Sequence, residues 1–275
     1  MRTILIPTDF SKNAQNATDF GIAMLDGPNT EFILLNTYYI PYASTEVSVS
    51  TQDVTAAEAE KKFDLELKRV NKAFPNAQGA FKTRFAIGDV VNVVRHINRT
   101  NTVEAVVMGT QGASGLAAVL VGSRTVSMIK RVNCPVYAIP SNAKFRTLKK
   151  ILFTTDLELM PEDTVLKPLI ELAKNHQSHM SILHIAKEGD HKTIDKTFIE
   201  HELNYQFLDL PHDFESTVGE NISAAIEDYT KEHQVDLVAM ISPRGNLFHR
   251  IFHRSITKKL ALHADTPMLV LHSDL

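Results

Sequence analysis

The sequence predicts an α/β protein of two consecutive domains, each a five-stranded, mostly parallel sheet flanked by helices. Three observations lead there. First, the chain repeats itself. Arg2-Thr3-Ile4-Leu5-Ile6-Pro7-Thr8-Asp9-Phe10 returns 147 residues later as Lys149-Lys150-Ile151-Leu152-Phe153-Thr154-Thr155-Asp156-Leu157. Second, each copy alternates short apolar runs with amphipathic stretches, the pattern of parallel strands joined by crossover helices. Third, an apolar run in the first copy, Val103 to Met108, ends in Gly109-Thr110-Gln111-Gly112. Gly122-Ser123-Arg124-Thr125 follows after nine residues and opens another amphipathic stretch.

The first copy reads as strands at 3–7, 31–37, 81–86, 103–108 and 135–139. Helices are expected at 11–25, 55–74, 89–100 and 123–132. The second copy gives strands at 150–154, 180–185, 204–208, 235–241 and 267–271. Its helices are expected at 162–175, 191–200, 219–233 and 254–263. The second strands correspond, Glu31 to Asn36 with His179 to His184. So do the last strands, Asn133-Cys134-Pro135-Val136 with Asp265-Thr266-Pro267-Met268. This last offset is 132, so the second copy is 15 residues shorter in its middle. Ser141 to Thr147 reads as the join between domains 1–144 and 145–275. Tyr38 to Thr55, polar and rich in Ser and Thr, reads as a surface loop.

Composition narrows the classes. At 44% hydrophobic and 22% charged, 275 residues carry enough apolar material for two buried cores. A net charge of −3 gives no basic field for nucleic acid or an anionic membrane. No apolar run reaches the ~18 residues of a membrane span, and the opening run to Pro7 is too short for a signal peptide. Cys134 is the single cysteine. No disulfide framework forms within one chain, and a reducing, cytoplasmic setting is expected.

The glycine loop points to phosphate. In open α/β sheets ligands meet the carboxyl ends of the strands, where strand order reverses and a helix N-terminus is close. Asp9, Thr37 and Gly109 end three strands of the first copy. Glycine there admits positive φ and lets backbone N–H groups approach an anion. Ser123 is expected to cap the next helix and offer its hydroxyl. Asp9 repels phosphate and better suits ribose hydroxyls or a base amine. The loop is not a Walker A sequence, since no Lys precedes Ser123.

Pro7-Thr8-Asp9, the spacing Gly109-x2-Gly112-x9-Gly122-Ser123 and the terminal Asn133-Cys134-Pro135-Val136 together resemble the universal stress protein family, in its tandem form. The resemblance implies Rossmann-like domains and a stress-response sensor or adaptor that binds ATP, with Mg²⁺ on the nucleotide. It implies that Asp9 and Thr37 flank adenine and ribose, and that Pro7 and Thr8 shape the pocket. Met108, Gly109 and Gly112 would line the ribose and phosphate side. Gly122, Ser123, Arg124 and Thr125 would receive the phosphates. It also implies pairing through the last strand, made inside the chain in tandem members, with a homodimer and a protein partner both compatible. No catalytic group stands out, so at most a weak ATPase is expected. The alternatives are a slow nucleotide hydrolase or transferase using the same pocket, or a binder of another nucleotide or a hydrophobic ligand.

The second copy departs from the pattern. Aligning Pro135 with Pro267 places Ile241 at Gly109, Arg244 at Gly112 and Arg254 at Gly122, with only Ser255 matching Ser123. A one-residue slide recovers Gly245 and loses Ser255. Thr154 replaces Pro7, while Asp156 remains. This degenerate copy is not expected to hold ATP in the family manner. Eleven of the 12 histidines lie in it, including the helically spaced His249 and His253, but no partner ligand recurs at fixed spacing. Mixed charges from Glu58 to Arg69 read as a solvated helix face. Phe248, Ile251 and Phe252 read as loop packing, and Cys134 as a buried structural thiol.

Overall fold

The apolar runs of each repeat become its strands. The computed structural model describes residues 1–38, 49–100, 103–111, 122–155, 157, 161–186, 196–219, 221–243 and 266–273. The chain divides into two compact units, Met1–Phe145 and Arg146–Leu275.

The first unit runs β1 (Arg2–Pro7), α1 (Lys12–Leu25), β2 (Thr30–Tyr38), α2 (Val49–Ala73), β3 (Ala80–Ile87), α3 (Val90–Thr100), β4 (Ala105–Gly109), α4 (Ser123–Arg131) and β5 (Val136–Ile139). Its strands lie side by side in the order β3-β2-β1-β4-β5, paired in parallel. The chain therefore moves outward from β1 to β3, then crosses back to β4 on the other side of β1. Right-handed crossovers put α1 and α2 on one face and α3 and α4 on the other. Ile4, Leu5, Ile6, Phe32, Leu34, Leu35, Val106 and Val107 fill the interior. The edge strand β3 stays largely exposed.

The second unit repeats this plan. It runs β6 (Lys150–Thr155), α5 (Asp163–His176), β7 (His179–Ala186), α6 (Lys196–Gln206), β8 (His212–Val218), α7 (Ile222–His233), β9 (Leu237–Pro243) and β10 (Met268–Ser273). Parallel pairing gives β8-β7-β6-β9-β10, the order of the first unit. Even a strained turn recurs. Phe10 and Leu157 both hold left-handed backbone, at φ 62° and 54°. In each case the residue's N–H donates to the hydroxyl of the threonine two positions earlier, Thr8 at 3.0 Å and Thr155 at 3.1 Å.

Three sequence expectations change. The strand expected at 204–208 is the end of α6 and a turn; the strand is β8, further on. Leu203 and Phe207 are both fully buried, four residues apart, which is helical rather than alternating spacing. β8 escaped notice because an edge strand with an exposed half carries polar residues. Second, residues 49–55 belong to α2 rather than to a loop. Third, the charged face of α2 is not wholly solvated. Glu66 is buried and accepts from Gln15 Nε2 at 3.2 Å and Arg69 Nη2 at 2.8 Å, and Arg69 also bridges to Asp19 at 2.7 Å. These carboxylates, Glu66 first, hold the Arg69 guanidinium more firmly protonated than usual. The helix expected at 254–263 and the residues Phe248, His249, Ile251, Phe252 and His253 lie outside the described residues.

Two outcomes follow for the folded chain. Arg69→Met leaves a buried carboxylate without its main partner and lowers unfolding free energy by ~2 kcal/mol, while Arg69→Met with Glu66→Met recovers most of it. Urea denaturation of both variants checks this, and equal losses would contradict the network. Cys134 is buried, and desolvation pushes its thiol up to about 12. Thiol reagents at pH 8 are therefore expected to label it only after unfolding, and prompt labelling of the folded chain would contradict its burial.

Candidate functional site

The strand-order switch leaves a crevice between the carboxyl ends of β1 and β4, bordered by β2. There the first unit has a cleft of about 490 Å³. It is lined by Pro7 at the end of β1 with Thr8 and Asp9 just beyond it, by Leu35, Asn36 and Thr37 of β2, and by Met108 to Gln111 at and past the end of β4. Gly122 to Thr125 at the start of α4 complete it with Ala14 and Val90. Ten of the eleven residues expected from the sequence meet in this one cleft. The other, Gly112, lies outside the described residues.

Each wall has a local cause. Thr8 N–H donates to Leu35 O at 2.8 Å, continuing the ladder one step past β1. The chain then turns sharply through Phe10. A bulky residue at positive φ is strained by ~1–2 kcal/mol, and two contacts compensate. The Phe10 N–H is held by Thr8 Oγ1, and its ring meets Phe63 of α2 edge-on at 5.1 Å. Asp9 Oδ1 accepts the Ser11 N–H at 3.0 Å, and Ser11 caps α1 by accepting the Ala14 N–H at 3.3 Å. The turn thus presents the exposed Asp9 at the mouth of the cleft.

On the other wall, β4 and α4 are stitched together. Gly122 N–H donates to Thr110 O at 2.5 Å, and Thr125 Oγ1 donates to Gly109 O at 3.0 Å. The structure corrects two expectations here. Gly122, not Ser123, is the N-cap of α4, and Ser123 is its first helical residue. Gly122 has φ −63°, and Gly109 also lies outside the left-handed region, so neither glycine serves positive φ. Space is the reason instead. A Cβ on Gly109 would sit 3.2 Å from Asn13 O, and one on Gly122 3.2 Å from Thr110 O. These close approaches bring α1, β4 and α4 together around the cleft.

The first turn of α4 leaves the N–H groups of Ser123, Arg124 and Thr125 without intrahelical partners. The helix dipole favours an anion there by ~0.3–1 kcal/mol. Ser123 and Arg124 are exposed beside it, and the first turn contains no acidic residue. The remaining lining is mixed: methyl-bearing and apolar side chains from Val90, Leu35 and Met108, with hydroxyls from Thr8, Thr37 and Thr110. Sequence reasoning missed Ala14, Leu35, Asn36, Val90, Thr110 and Gln111. For Asn36, Thr110 and Gln111 the one signal in the sequence was a neighbour already singled out, Thr37 or Gly109. No described group of three or more His, Cys, Asp or Glu residues is arranged to hold a metal ion.

The second unit lacks this arrangement at one defined point. Ile241 pairs with Leu271 in β10 as Gly109 pairs with Ile139 in β5, so the side chain stands at Gly109's register position. Asp156, Arg244, Arg254 and Ser255 lie outside the described residues. No described helix is long and apolar enough to cross a membrane.

The comparisons with known proteins agree with the internal repeat. The model of the universal stress protein family matches residues 1–140 and again 147–272. Among solved structures, a universal stress protein from Archaeoglobus fulgidus DSM 4304 is similar at 20% identity and a TM-score of 0.69, covering 98% of this chain and 95% of that one. A functionally unknown protein from Pseudomonas aeruginosa PAO1 is similar at 11% identity and a TM-score of 0.59, covering 100% of this chain and 93% of that one. At these identities the likeness speaks for the fold alone. No curated protein matches the chain. The two family matches, lying end to end over nearly all its residues, show that the chain belongs to the universal stress protein family as a tandem two-domain member.

Proposed function

We propose that the first unit binds ATP in the β1–β4 cleft and that the protein works as a stress-response sensor or adaptor rather than as a fast enzyme. The observation that carries this reading is the meeting of Asp9 and the α4 N-terminus on opposite walls of one cleft. A carboxylate at one side suits ribose hydroxyls or a base amine, and unpaired backbone N–H groups at the other suit phosphates. The volume is that of an ordinary small-molecule site.

In this reading Pro7, Thr8, Asp9 and Thr37 hold the nucleoside. Met108, Gly109 and Gly112 line the passage to the phosphates, and Gly122, Ser123, Arg124 and Thr125 hold them. Mg²⁺ would arrive on the phosphates, keeping most of its water, since the cleft has no set of carboxylates to bind it alone. Among the 16 lining residues Asp9 is the one carboxylate and Arg124 the one cation. Phosphoryl transfer uses a metal site and a group orienting the nucleophile, so this lining favours holding a nucleotide over turning it over. The second unit, with Ile241 at the glycine position, would serve regulation or recognition of a protein partner. The protein would work in the cytoplasm.

ATP with Mg²⁺ is expected to raise the thermal midpoint, contributing about 2.7 kcal/mol when the ligand is at a hundred times its Kd. A midpoint that ATP and Mg²⁺ leave unmoved would end the proposal. Gly122→Val pushes a branched side chain toward Thr110 O and away from the packed geometry of α4. It should weaken ATP at least about tenfold while weakening adenosine much less, because the change lies at the phosphate wall. Calorimetric titration with both ligands distinguishes this from a general loss of fold, which would weaken them equally.

A further inference from the structure

The two units place different side chains on the same strand-end bond. Asn36 of β2 donates from Nδ2 to Thr8 O at 2.7 Å. At the corresponding position of β7, His184 Nδ1 lies 3.2 Å from Thr155 O. The correspondence is one of register. Pro7 pairs with Leu35, the residue before Asn36, and Thr154 pairs with Leu183, the residue before His184. A carbonyl accepts only, so the amide nitrogen of Asn36 faces it, and His184 is held as the Nδ1–H tautomer. In a regular parallel ladder this carbonyl would receive a backbone N–H. In the first unit the register of β1 with β2 ends at Pro7, the chain swings away through the left-handed Phe10, and the Asn36 side chain donates to the Thr8 carbonyl; in the second unit the register runs on through Thr155 and His184.

We propose that Asn36 is a positioning residue of the first unit's cleft. It fixes the carbonyl of Thr8 and thereby the aim of Asp9 at the ligand; this rests on the nucleotide reading above. Thr8 is nearly buried, with both its N–H and its C=O gripped by β2, through Leu35 O and Asn36 Nδ2. Asp9 is the next residue and is exposed, with Oδ1 held by the Ser11 N–H, so the whole turn that carries it is aimed by where Thr8 is pinned. Asn36 also lines the cleft directly. The side chain is chosen for its donor rather than its shape, because the other unit uses an imidazole for the same contact.

The test compares Asn36→Leu, which keeps the size and removes the donor, with Asn36→His, which restores the donor found in the second unit. Calorimetric titration of the full chain with adenosine and with ATP plus Mg²⁺ is the readout, with a urea midpoint measured for each variant. Asn36→Leu is expected to weaken both ligands by about tenfold, equally, because the strand-end wall meets the nucleoside and not the phosphates. Asn36→His is expected to stay within about threefold of the unsubstituted chain, on the same scale. Should Asn36→Leu fail to fold, Asn36→Ser, too short to reach the carbonyl, takes its place. Unchanged affinity without the donor would overturn the inference. So would a folded Asn36→His that binds as weakly as Asn36→Leu. An unsubstituted chain that binds neither ligand would remove the nucleotide reading and this inference with it, a result distinct from either of those.

Discussion

The site depends on β1 pairing with two neighbours that the chain reaches in opposite directions. β2 follows β1 through α1, while β4 arrives on the other side only after α2, β3 and α3. Helices that depart to different faces leave the strand ends uncovered between them. Three walls of the cleft in the first unit are placed by that reversal: the turn at Asp9, the end of β2, and the start of α4. The short contacts at Gly109 and Gly122 close the arrangement, since a Cβ at either would press on a backbone oxygen 3.2 Å away.

Much of this was legible in the sequence, because the repeat supplied the same pattern twice. Buried parallel strands such as β1, β4 and β6 are nearly unbroken apolar runs, and they were found within a residue or two. β8 was not, because an edge strand has one exposed half and so loses the apolar signal. The site was legible wherever a residue type answers to chemistry, as with Asp9 and the glycines. It was opaque where geometry assigns the role. Nothing in the chain says that Gly122 rather than Ser123 caps α4, or that glycine serves close packing rather than positive φ. Asn36 likewise looked like an ordinary strand residue, because its partner is a backbone carbonyl 28 positions away.

The second unit shows which features of the first recur. It keeps the strand order, the left-handed residue after the Thr-Asp pair and a side-chain donor at the strand-end carbonyl. The last two of these features belong to the turn that follows the first strand of each unit. What it does not keep is glycine at the register position of Gly109, where Ile241 of β9 stands. Among the described residues the strand-end scaffold is therefore common to both units, and Ile241 marks a difference on the side where the first unit packs β4 against α4.

That asymmetry is the central claim, and nucleotide stoichiometry tests it most directly. Native mass spectrometry of the full chain with ATP and Mg²⁺ reads the number of ligands held per chain. The account predicts one, lost on substitution of Asp9 or Gly122. Two nucleotides per chain, or one that survives both substitutions, would contradict it.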